Sequence, residues 1–113
     1  MFIRIAIDQA VSLHEVDDLR RLHVEVAGLD GAALQSAIRR HALGRVDDEG
    51  GIDLRVATLR QLAGDRDEQW VTAFANMLGY ARSKGWMTDG EHVRAHCVRI
   101  PAMPLESVAA GER

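Results

Sequence analysis

Polar and apolar positions alternate at the start of the chain. Ile3, Ile5 and Ile7 fall on one side of an extended segment and Phe2, Arg4 and Ala6 on the other, which predicts a strand over residues 2–7. Ser12 and Glu15 have the spacing of a capping box, in which a hydroxyl and a carboxylate take up free N–H groups at a helix start. A short helix is therefore expected over 13–19. Leu22, Val24 and Val26 then alternate with Arg21, His23 and Glu25, predicting a half-buried strand over 21–26. Turn residues at 28–31 follow, with Asp30 as N-cap, and Leu34, Ala37, Ile38 and Ala42 recur at helical spacing up to Gly44. A helix is expected over 31–43.

The acidic, glycine-bearing run at 47–51 reads as a turn, after which Ile52, Leu54 and Val56 alternate with Asp53 and Arg55. A short strand should run into a helical turn over 57–63 that Gly64 stops. The strongest periodicity comes next. Trp70, Val71, Phe74, Met77, Leu78 and Ala81 share one helical face, Asp65 and Glu68 have capping-box spacing, and Gly85 supplies a C-terminal stop. Together they predict a helix over 67–84, with Arg82 and Lys84 complementing its dipole. Thr88, Asp89 and Gly90 form a turn. Val93, Ala95 and Cys97 then alternate with His92, Arg94 and His96 until Pro101, predicting a strand over 92–99.

These elements make an α+β fold, a small sheet of three to four strands with helices packed mainly on one face. A chain of 113 residues has room for one core, so residues 1–100 are expected to form a single domain. Residues 101–113 hold both prolines and little periodicity. They read as a tail, docked on the body or on a neighbouring subunit through Met103, Leu105 and Val108. Apolar residues at 47% and charged residues at 27% exclude a disordered or collagen-like chain. No apolar stretch approaches the roughly 20 residues of a membrane span, so no membrane partner is expected and the protein is expected in the cytoplasm. A lone Cys97 supplies neither an intramolecular disulfide nor a thiolate metal cage.

Charge narrows the function classes further. A formal net charge of −3 gives no global attraction to nucleic acid. A winged-helix-like DNA-binding regulator would rest on the patch Arg39, Arg40, His41 and Arg45 alone, and the acidic start of the long helix, Asp65, Asp67 and Glu68, opposes it. No P-loop, G-x-G-x-x-G, G-x-S-x-G or H-E-x-x-H motif is present, so no cofactor is expected. His92 and His96 lie four residues apart on a predicted strand, roughly 13 Å between Cα atoms, which is too far for one metal ion.

If the strands are neighbours in the appropriate register, the alternation places Arg4, Arg21, His23, Glu25, His92, Arg94 and His96 on the polar face of the sheet. His23 and His96 are the candidate catalytic acid and base there. Arg21, His92 and Arg94 are the candidate ligand-binding residues, Arg94 as an anion clamp. Cys97 reads as a small buried hydrophobe, and Trp86, just past Gly85, as packing under the last strand or as a subunit contact. The leading expectation is a small accessory or interaction module that binds a protein partner or itself. The alternative is a small enzyme or ligand-binding protein holding a carboxylate or phosphate on the Arg/His face.

Overall fold

The computed structural model describes residues 1–29, 31–47 and 50–101. The elements run β1 (Phe2–Ile5), β2 (Val11–His14), β3 (His23–Ala27), α1 (Gly31–Arg40), β4 (Gly44–Val46), β5 (Ile52–Arg55), α2 (Val56–Ala63), α3 (Glu68–Ser83), β6 (Met87–Thr88) and β7 (His92–Ile100). The class is α+β, with a mixed seven-stranded sheet in the order β2-β1-β3-β7-β5-β4 and β6 added against β7.

Strand β7 joins the two halves of this sheet. Its residues from His96 onward pair in parallel with β3, while its residues from His92 to Ala95 pair antiparallel with β5. Strands β5 and β6 both pair with His92 and Val93, so they occupy opposite edges of β7. Register partners on neighbouring strands face the same way, which makes Ile3, Ile5, Val24, Val26, Ile52 and Leu54 one apolar face. All six are buried, and they share a single core cluster with the buried sides of the three helices.

Helix α3 shows how this core is closed. Asp67 is its N-cap and accepts a hydrogen bond from the Trp70 N–H at 2.8 Å. Trp70, Phe74, Leu78 and Ala81 are buried, and the Trp70 indole donates to the Val16 carbonyl at 2.9 Å, tying the helix to the segment after β2. Phe74 is 1% exposed, and burying such a ring stabilises by about 2–3 kcal/mol relative to leaving it in water.

Several expectations are corrected. The sheet has seven strands, because β2, β4 and β6 were not foreseen. The segment expected to be a helix over 13–19 begins instead as β2, with Ser12 and His14 on one face. The Ser12 hydroxyl lies 2.7 Å from His14 Nε2, so a side chain two residues on takes the place of a helix N–H. Glu15 adopts φ +50° and its carbonyl closes a turn to Asp18. The N-cap of α3 is Asp67 and not Asp65, and Val71, expected in its core face, is 53% exposed. Asp30, residues 48–49 of the acidic turn and residues 102–113 of the tail lie outside the described residues.

Candidate functional site

The register turns the predicted polar face into two rows. His14, Phe2, His23 and His96 lie side by side across β2, β1, β3 and β7. His14 stacks on Phe2 with centroids 5.0 Å apart, and His23 stacks on the same ring at 4.8 Å. Next to this row Arg4 donates to Glu25 Oε1 at 2.9 Å, and His23 Nε2 lies 3.2 Å from Glu25 Oε2. Burial works to raise the Glu25 pKa, but the hydrogen bonds from Arg4 and His23 outweigh it and hold the carboxyl below its usual range. His23 Nδ1 lies 2.8 Å from the Arg21 carbonyl oxygen. Both of its partners are acceptors, so only a ring with hydrogen on both nitrogens donates to both.

The second row, Arg45, Asp53 and Arg94, crosses β4, β5 and β7. Asp53 is 5% exposed. Its carboxylate lies 3.7 Å from Arg45, 3.9 Å from Arg94 and 3.5 Å from the Thr88 hydroxyl. Arg94 Nε also lies 3.5 Å from Asp47. His92 is engaged by Asp89 at 3.0 Å, and this hydrogen bond is the main reason the Asp89 carboxyl sits below its usual range; desolvation opposes it, and the Glu91 N–H and Arg45 add to it.

A groove of about 960 Å³ opens between α3 and the middle of β7. Val93 and Ala95 from β7, Met77 and Ala81 from α3, and Leu19 and Leu22 supply its apolar lining, and Tyr80 and Trp86, which also line it, are exposed. Arg20, Arg21, Asp47, Arg94 and His96 also contribute to its lining. Tyr80 and Trp86 meet edge to face, centroids 5.8 Å apart at 73°. The Lys84 ammonium lies 5.5 Å from the Tyr80 centroid. Arg20 and Arg21 are exposed, and neither guanidinium has an ion-pair or hydrogen-bond partner among the described residues.

Of the five nominated residues, Arg21, Arg94 and His96 line this groove, whereas His23 and His92 do not. His23 and His96 are register neighbours, yet His23 has both ring nitrogens engaged. Among the described residues no group of three or more His, Cys, Asp or Glu side chains could hold a metal ion, and no helix is long and apolar enough to cross a membrane. Cys97 is half-buried on the core side, and burial pushes its thiol pKa up against a smaller pull from Arg99.

Sequence reasoning missed Arg20, Tyr80 and the buried Asp53. Tyr80 carried a legible signal, since it falls off the apolar stripe of α3. Asp53 carried none, because its burial depends on which strands flank β5. No family model, curated protein or solved structure matches the chain.

Proposed function

We propose that the protein binds a small organic anion in the groove between α3 and β7. The observation that carries this reading is the adjacent pair Arg20 and Arg21, two cations without acidic partners among the described residues, beside a largely apolar cavity. Its volume of about 960 Å³ falls near the top of the roughly 300–1,000 Å³ typical of small-molecule sites. A guanidinium offers a planar fork of donors and holds its charge at any working pH. Its hydrogen bonds to an oxyanion are roughly twice as strong as neutral ones. Burial of an apolar ligand body adds about 25 cal/mol per Å² removed from water. Arg94, with Asp47 and Asp53 beside its Nε, shapes the wall and leaves the clamp to Arg20 and Arg21. If the site turns its ligand over, His96 is the acid or base within reach.

Thermal unfolding with matched pairs of acids and their neutral amides tests this. Carboxylates should raise Tm while amides of the same shape do not, by up to about 2.7 kcal/mol of stabilisation at a hundredfold excess over Kd. The rise should shrink with salt and disappear in the Arg20→Ala/Arg21→Ala variant. Equal shifts from acids and amides, or none from either, would refute the reading.

A second reading is supported by the exposure of Tyr80 (58%) and Trp86 (42%). Aromatic side chains are enriched at subunit contacts, and self-association through the groove mouth would make the protein an interaction module. Sedimentation velocity separates the two readings, since a dimer formed through this face should dissociate on Trp86→Leu.

A further inference from the structure

We infer, resting on the anion-binding reading, that the ligand is an aromatic monocarboxylic acid, its ring against Trp86 and Tyr80 and its carboxylate at Arg20 and Arg21. The chain has five aromatic residues other than histidine. Phe2, Trp70 and Phe74 are buried, and the two exposed ones, Tyr80 and Trp86, both line this groove. The internal pair Trp70 and Phe74 is stacked nearly parallel, 4.9 Å apart at 10°. Tyr80 and Trp86 instead meet at 73°, so their planes form a corner that a third ring can enter by stacking on one and meeting the edge of the other. Arg20 and Arg21 line the groove and the Lys84 ammonium lies over the Tyr80 ring. The rest of the lining is largely apolar, and the cost of taking an ion out of water climbs steeply with its charge, which weighs more against a phosphate dianion than against a monoanion.

The test is isothermal titration of the full chain with naphthalene-2-carboxylate, its carboxamide, 2-naphthyl phosphate and decanoate, on wild type, Trp86→Leu and Arg20→Ala/Arg21→Ala. Circular dichroism and Tm check that each variant is folded. Naphthalene-2-carboxylate should bind about tenfold more tightly than the carboxamide or decanoate. Trp86→Leu should weaken it about tenfold while changing decanoate by about twofold or less. The double arginine variant should weaken both acids by about tenfold or more.

If decanoate binds as tightly as the naphthoate, or Trp86→Leu weakens both alike, the aromatic assignment falls while anion binding stands. Tighter binding of the phosphate overturns the monocarboxylate assignment in the same way. If no acid binds better than the amide, both this inference and the reading beneath it are overturned. A stable dimer that Trp86→Leu dissociates would overturn them in favour of self-association.

Discussion

The charged face of the sheet and the mouth of the groove hold the same kinds of side chain, but the two regions use them differently. On the sheet face several charges meet partners: Arg4 and His23 share Glu25, Arg45 and Arg94 flank Asp53, and His92 meets Asp89. At the groove mouth Arg20 and Arg21 have no such partner among the described residues. The face looked from sequence like the binding surface because it collects arginines and histidines. Its partners tie neighbouring strands together, and under the anion-binding proposal availability of charge, more than its density, marks a site.

The largest expected effect comes from breaking the paired region at its edge. Gly44 has φ +138°, and a Cβ built there would sit 1.9 Å from the Asp53 carbonyl oxygen. Gly44→Ala must therefore push β4 away from β5 and take Arg45 away from Asp53, at a cost of about 3 kcal/mol. Urea unfolding should register this as a lower midpoint, and a loss below about 1 kcal/mol would mean that the hairpin yields without strain.

Gly44 also shows what was legible in the sequence and what was not. Long periodic segments were readable: α3 from the spacing of Trp70, Phe74, Leu78 and Ala81, and β7 from the alternation of Val93 and Ala95 with Arg94 and His96. Strands β4 and β6 have three and two residues, too few to display a period, and they exist because β5 and β7 offer edges. Strand β2 had the alternation, but its Ser12 and Glu15 imitated a helix start. That His23 shares a side of its strand with Glu25, and Arg94 with His96, followed from alternation alone. Their partners did not, because register is a property of pairs of strands: nothing near Arg94 in sequence announces that Asp47 and Asp53 will flank it. The groove was the least legible part, since it joins the loop before β3 to a helix more than fifty residues later.

Opposite responses to two sets of arginine substitutions sharpen the comparison. Arg45→Met leaves the buried Asp53 carboxylate with Arg94 at 3.9 Å and Thr88 at 3.5 Å. Removing one partner of a buried charge is costly, moderated here by the remaining cation to about 2 kcal/mol, while affinity for an organic acid should change by less than about threefold. Arg20→Ala/Arg21→Ala should do the reverse, holding stability within about 0.5 kcal/mol and losing affinity about tenfold or more. Parallel urea unfolding and titration on both variants would reveal a common pattern, were there one, and a common pattern would dissolve the distinction between tied and available charge.

The smallest effect is a matter of pH, and its sign follows from Glu25. Its carboxyl is more acidic in the folded protein than in the unfolded chain, because hydrogen bonds from Arg4 and His23 outweigh the effect of burial. A depressed folded pKa contributes stability that is complete above the unfolded value, about 4.3 for glutamate. That stability declines as pH falls through the window below it and is gone beneath the folded value. Wild type should therefore exceed Glu25→Gln in stability at neutral pH, and the gap in urea midpoint should close steadily on acidification below about pH 4.3. A gap that widened in acid would mean that Glu25 is destabilised as an anion, contrary to its contacts. A guanidinium keeps its charge across the same window. Acid-ligand affinity should then fall on acidification as the ligand itself is protonated, and the two regions separate once more by what each gains from its charges.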